Sequence, residues 1–215
     1  MITTDFNHEE TMDINTPAAL ANTPGAIGAA FGGGFFAGLI KVDGKAFALV
    51  VSPKLFGEFK GRWIASDESV PGAEDYADGL ANTNAMAAAG SELAKAVRGS
   101  VIEGFDDWYI PARDELELIY RNLKPTTWKN SASFRDGENP SSMPMGRHYT
   151  EERPTQTGVA DFREGGAQAL DAVWHWSSTQ AGPSIAWGQS FYYGYQGLYY
   201  RSYEGRARAV RRLPI

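Results

Sequence analysis

The chain has 215 residues, 20 Lys and Arg against 26 Asp and Glu, a net charge of -6 and no cysteine. That length suits one sizeable domain, or a domain plus an extended arm, able to bury most of its apolar surface without disulfides. The missing cysteine excludes disulfide scaffolds, thiolate-ligated zinc, iron–sulfur sites and cysteine nucleophiles, and the acidic balance argues against bulk nucleic-acid binding.

Met1 to Asn15 carries Asp5, Glu9, Glu10 and Asp13 and no basic residue, the reverse of a secretory signal. The most apolar stretch, Phe35 to Val51, is interrupted by Lys41, Asp43 and Lys45, so no membrane insertion is expected. Residues 1–34 lack basic residues and a sustained apolar period, and read as an extended arm, either a loose terminus or an attachment segment that orders on a partner. The folded domain is expected over 35–215. Phe35 to Val42 and Lys45 to Val51 read as strands joined by Asp43-Gly44, a pair suited to the positive φ angles of a type I′ turn. Residues 53–82 hold turn chemistry with apolar anchors at Phe56, Phe59, Trp63, Ile64 and Tyr76. Asn84 to Arg98 reads as one helix stopped by Gly99.

A second helix is expected to start at Pro111, with Asp114 and Glu115 in its first turn and a buried stripe of Leu116, Ile119, Tyr120 and Leu123. Lys124-Pro125 ends it. Residues 125–157 form a long polar segment, and loops of that length in a compact domain are functional or mobile. A short helix is expected around 162–172, weakened by Gly165-Gly166. Strands follow over 173–178, 185–193, 197–203 and 206–213. A hairpin, two helices, a long loop and then antiparallel strands make an α+β class.

Gly104-Phe105-Asp106-Asp107-Trp108-Tyr109-Ile110-Pro111-Ala112-Arg113-Asp114-Glu115-Leu116, then Trp174-His175-Trp176-Ser177-Ser178-Thr179, then Arg206 to Arg212, resemble in order the Lcl C-terminal domain-like family of adhesins and phage or prophage proteins. The resemblance covers roughly residues 35–213. It implies a C-type-lectin-like fold, in the variant shared with formylglycine-generating enzymes: mixed and antiparallel sheets, two main helices and long loops. Ala112 departs from the Ser or Thr common at that helix N-cap, a difference of about 1 kcal/mol.

The same fold is used by variable proteins of diversity-generating retroelements, whose C-terminal segment is mutagenised at adenines of Asn-type codons. Gly188, Ser190, Tyr192, Tyr193, Tyr195, Gly197, Leu198, Tyr199, Tyr200, Ser202 and Tyr203 belong to the set such codons reach; Trp187, Gln189, Gln196 and Glu204 do not, and would be fixed scaffold. Six of the ten tyrosines lie between 192 and 203. Tyr gives a large, stiff, amphipathic contact surface, and adjacent pairs on a strand cannot both face a core. The candidate ligand-binding residues are therefore Gly188, Ser190, Tyr192, Tyr193, Tyr195, Leu198, Tyr199, Tyr200, Ser202 and Tyr203, with a protein or a saccharide as target. Trp174 and Trp176 share a strand face and read as core or as a platform beneath. Arg206, Arg208, Arg211 and Arg212 read as partners for Asp106, Asp107 and Glu115, not as a nucleic-acid site.

These features point to a non-enzymatic receptor-binding protein at the tip of a phage or prophage tail fibre. It would be made in the bacterial cytoplasm without a signal peptide and exposed on the virion. Its partners would be a host-cell receptor, other fibre proteins through the arm, and two further copies in a trimer. No cofactor is expected. The catalytic cysteines of the formylglycine-generating enzymes are missing, His8, His148 and His175 show no metal-binding spacing, and Glu138-Asn139-Pro140 does not match the sugar-binding motif of calcium-dependent lectins. A calcium site drawing on Asp106, Asp107 or Asp136 stays open. The alternatives are a carbohydrate-processing enzyme using Asp106, Asp107 or Glu115, or a purely structural tail or baseplate protein.

Overall fold

The computed structural model describes residues 23–133 and 136–215; His8 and most of the expected arm lie outside them. Strands β1 (Ala30–Phe31), β2 (Gly34–Val42) and β3 (Lys45–Val51) are followed by α1 (Lys54–Gly57), β4 (Glu58–Arg62), α2 (Gly79–Ala88), α3 (Glu92–Arg98) and α4 (Arg113–Leu123). Then come β5 (Ser142–Met143), a 3-10 turn at Ala160–Phe162, β6 (Trp174–Gly182), β7 (Ile185–Ser190), β8 (Gln196–Tyr200), β9 (Glu204–Arg208) and β10 (Val210–Pro214). The class is α+β, with two sheets among the described residues. One runs β1-β2-β3-β10 with β5 beside β2; the other runs β4-β9-β6-β7-β8. Pairing is antiparallel except between β6 and β9.

The Asp43-Gly44 turn forms as read, with φ of 49° and 75°. Leu49, Val50 and Val51 are all fully buried because β3 has a core on each side. Val50 belongs to the cluster with Trp63, Met86, Val97, Trp108 and Trp176, whereas Leu49 and Val51 face Leu116, Ile119 and Leu123 of α4. A strand covered on both faces reads as a continuous apolar run, not an alternation. The body begins before Phe35: Ala30 and Phe31 pair with Phe35 and Gly34, and the Gly28 N–H donates to the Phe36 carbonyl at 2.8 Å.

Three expected helix boundaries move. The single helix over 84–98 is two, split where Gly90 takes φ 99° and Ser91 caps the second by accepting from the Ala94 N–H at 3.2 Å. Pro111 precedes α4; Ala112 is its N-cap. The missing cap hydroxyl is supplied from elsewhere. The Arg113 N–H donates to Thr179 Oγ1 at 3.0 Å, the Asp114 N–H to the Tyr76 carbonyl at 2.8 Å, and the Glu115 carboxylate reaches back to accept from the Ala112 N–H at 2.8 Å. The helix expected over 162–172 is only the 3-10 turn: a Cβ on Gly166 would sit 2.4 Å from the Asp161 carbonyl, so the chain doubles back.

α4 is buried almost all round, acids included. Leu116, Ile119, Tyr120 and Leu123 form the expected stripe, but Asp114, Glu115 and Glu117 are also within 1% of full burial. Each has partners. Asp114 accepts from Arg113 and Ser141; Glu115 from Tyr109 Oη at 2.6 Å; Glu117 from Arg121, Asn139 Nδ2 and Tyr149 Oη at 2.6–2.7 Å. Burial outweighs those bonds, pushing Asp114 up to about 6 and Glu115 up to about 7. The C-terminal arginines are structural cross-links. Arg211 forks onto Asp107 at 2.7 and 2.9 Å; Arg212 meets Asp78 at 2.8 Å and lies 3.8 Å from Glu115; Arg206 and Arg208 both meet Glu58. Of the three acids expected as their partners, Asp106 alone is not among these pairs.

Candidate ligand-binding face

The hairpin β7–β8 sorts the tyrosine-rich segment by register. Ile185, Trp187 and Gln189 stand opposite Tyr200, Leu198 and Gln196 on one face; Ala186 and Gly188 stand opposite Tyr199 and Gly197 on the other. The second face is closed. Trp174 of β6 stacks on Tyr199 with ring centres 3.9 Å apart and meets Tyr195 at 5.6 Å. Tyr195 and Tyr199 join hydroxyls at 3.3 Å, and that bond together with burial pushes Tyr195 up to about 12. Gly188 is where the backbone passes under Trp174: a Cβ there would lie 2.4 Å from the indole.

The first face is open at Leu198 and Tyr200, while Gln189 at its other end is fully buried. Leu198 is 46% exposed and Tyr200 56%. Tyr203, in the turn that follows, is 56% exposed and packs its ring edge-on against Tyr200 at 5.6 Å. Ser202 is exposed beside them. At the other end of the hairpin, Phe191 is buried against Tyr120 and His175, and Gly194 takes φ 78° against the Tyr120 ring. That turn throws Tyr192 onto Trp128 at 5.0 Å and leaves Tyr193 exposed. Trp128 is held there by Lys124, whose buried ammonium donates to the Trp128 carbonyl at 2.5 Å, to Asn130 Oδ1 at 2.7 Å and to the Pro154 carbonyl at 3.2 Å.

Of the ten candidate residues, Tyr193, Leu198, Tyr200, Ser202 and Tyr203 are thus exposed, and Tyr192, Tyr195 and Tyr199 are half-buried. Gly188 and Ser190 are buried and offer no contact surface, a correction to the sequence reading. Ser190 instead holds the turn, its hydroxyl accepting from the Tyr193 N–H at 3.3 Å. Trp176 is core and Trp174 the platform, as read. Trp187 is different: it faces out, half-buried, and with Tyr76 flanks the Arg113 guanidinium, each ring centre 5.0 Å from it. Together with Asp136, Glu138, Pro140 and Gln196 they line a hollow of about 340 Å³ next to Leu198. Sequence reasoning missed Tyr76 and Arg113, which sit 122 and 85 positions before Leu198 and carry no local signal.

The acids of the enzymatic alternative stand in three different settings. Asp106 is exposed, Asp107 is held by Arg211, and Glu115 is fully buried. Asp136, 4% exposed, accepts from Ser131 Oγ and the Gln196 N–H. Among the described residues no group of three or more His, Asp or Glu is placed to hold a metal ion, and no helix is long and apolar enough to cross a membrane.

His175 lies beneath the face, fully buried against Phe191, with Nδ1 3.2 Å from the Val173 carbonyl. Burial pulls it down to about 3, so it is neutral. The unfolded chain binds this proton below about pH 6.5 and the native one only near 3, so the contribution is full above 6.5 and lost as pH falls through that window. The loss is at most about 1.4 kcal/mol per pH unit. Asp114 and Glu115 act with the opposite sign, so the comparison must be with a variant. In urea unfolding at successive pH values, His175→Phe is expected to lose less stability than wild type between pH 6.5 and 4; equal slopes would refute the assignment.

Comparison of the chain with protein-family models, curated proteins and solved structures returns no match.

Proposed function

We propose that this chain is a non-enzymatic receptor-binding protein of C-type-lectin-like fold, carried at the tip of a phage or prophage tail fibre. The host receptor is a protein or a saccharide. The observation that carries the reading is the open face of β8 and the turn after it, where Leu198 and Tyr200 on the strand and Tyr203 in the turn are about half exposed, the strand being backed by the Trp174–Tyr199 layer. Rigid aromatics with one polar tip bind unrelated targets at low entropic cost, and a packed layer beneath fixes their positions. The arm joins the domain to the fibre, and a trimer presents three faces whose avidity offsets weak single contacts. In this reading the exposed positions are the ones a diversity-generating retroelement varies.

The test is adsorption of purified protein to host cells by wild type and by a Leu198→Ala, Tyr200→Ala, Tyr203→Ala variant. Central aromatic contacts are worth about 1–2 kcal/mol or more each, so a loss of tenfold or more is expected, with unchanged circular dichroism. Unchanged adsorption would favour a purely structural fibre protein. A near-copy of the codons for residues 180–212 that differs only at adenines and lies beside a reverse transcriptase would establish diversification.

A further inference from the structure

The polar segment after α4 is only partly used by the tyrosine-rich face. Its later half, with α4, borders an open hollow of about 860 Å³ whose charged lining is Arg121, Arg147 and Arg153, with no carboxylate. On a chain of net charge -6 this concentration of one sign in a concave wall is unexpected, and such a wall focuses field and gathers counter-ions. Arg121 is the anchored member, its Nη2 donating to Glu117 Oε2 at 2.6 Å and to Ser142 Oγ at 2.8 Å. Arg147 and Arg153 are exposed, and neither is ion-paired among the described residues.

The acids of the same turn, Glu151 and Glu152, line an adjoining hollow, which shares Thr155 and Gln156 with this one. There Lys129 bonds Glu151 at 2.6 Å. Hydroxyls complete the wall. Thr150 Oγ1 accepts from the Arg153 N–H at 3.1 Å, which leaves its own O–H to donate, and Thr155 is exposed beside it. Guanidinium forks with added hydroxyl donors match the oxygens of a phosphate, whereas a neutral ligand would leave the charge unanswered.

We propose that this hollow binds a phosphate group through Arg147 and Arg153, with Thr150 and Thr155 as supporting donors. The phosphate belongs to a free or sugar-linked phosphate or to a lipid headgroup. The site is separate from the tyrosine-rich face and does not depend on it.

The full chain is titrated calorimetrically with pyrophosphate, and sedimented with vesicles of phosphatidylglycerol in phosphatidylcholine against phosphatidylcholine alone. Binding in either arm is expected, weakening with salt and reduced at least about tenfold in an Arg147→Gln, Arg153→Gln variant. Both side chains are exposed, so the variant should keep the wild-type melting temperature. Arg121 is left in place, because its loss would strip the buried Glu117 of its cationic partner. Pyrophosphate binding without vesicle binding identifies a free or sugar-linked phosphate; vesicle binding alone identifies a headgroup. The Leu198, Tyr200, Tyr203 alanine variant should bind as wild type. No binding in either arm, or undiminished binding by the arginine variant, would overturn the proposal.

Discussion

Glu115→Ala is expected to destabilise the protein by about 3–5 kcal/mol, a large part of the stability of an ordinary domain. The carboxyl is fully buried where α4 begins, and truncation removes three things at once. Tyr109 Oη loses its partner at 2.6 Å, the Ala112 N–H loses its acceptor at 2.8 Å, and Arg212 loses one of two nearby carboxylates. Glu115→Gln keeps the shape and one acceptor and is expected to fold. Its pH profile should be flatter. Burial raises Glu115 from 4.5 to about 7, so the native state holds this proton more tightly than the unfolded chain does. The glutamate's contribution is therefore most favourable at acid pH and declines as pH rises through 4.5 to 7. Urea unfolding of both variants at pH 5 and 8 checks this. An alanine variant as stable as wild type would show that the buried cluster is not what anchors α4. Loss of a hydrolytic turnover in a fully folded glutamine variant would revive the enzymatic alternative.

Gly188→Tyr is expected to cost about 1–3 kcal/mol, although tyrosine is among the residues an adenine-mutagenised codon reaches. Any side chain there starts 2.4 Å from the Trp174 indole, so either the strand or the tryptophan must move, and the Trp174–Tyr199 stack opens. Tyr200→Ser, twelve residues later on the open face, should stay within about 0.5 kcal/mol. Thermal melts of the two variants give the contrast directly, at about 2–4 °C per kcal/mol for a domain of this size. Equal melting temperatures would mean that the closed face is not packed as described. In a diversified population position 188 should be nearly invariant while 198, 200, 202 and 203 vary.

What could be read in the sequence was local. Asp43-Gly44 needs only its own backbone preference, and the α4 stripe at 116, 119, 120 and 123 needs only helical period. What escaped depends on distant partners. Asn84 to Arg98 lacks a strong breaker except Gly90, whose left-handed φ becomes useful because Ser91 can then cap α3 and donate its hydroxyl to the Trp63 carbonyl at 2.5 Å. Glu117 looks like a solvent-facing acid until Asn139 and Tyr149, 22 and 32 residues on, close over it. In the tyrosine-rich segment composition does not tell which residues the fold exposes and which it packs away. Tyrosine is equally suited to a platform and to an exposed contact, and only register separates Tyr199 from Tyr200. Tyr76 and Arg113 enter through the cap of α4, where the Tyr76 carbonyl meets the Asp114 N–H.

That cap also has a mechanical meaning. The first turn of α4 is terminated by groups from β6 and from the loop at residue 76, so helix, platform strand and the rim of the 340 Å³ hollow share one joint. β7 and β8 hang from β6 on its far side. A force applied to Tyr200 or Tyr203 would therefore divide, one part passing through β7 into β6 and the cap of α4, the other through Arg201 to the Ser66 and Glu68 carbonyls.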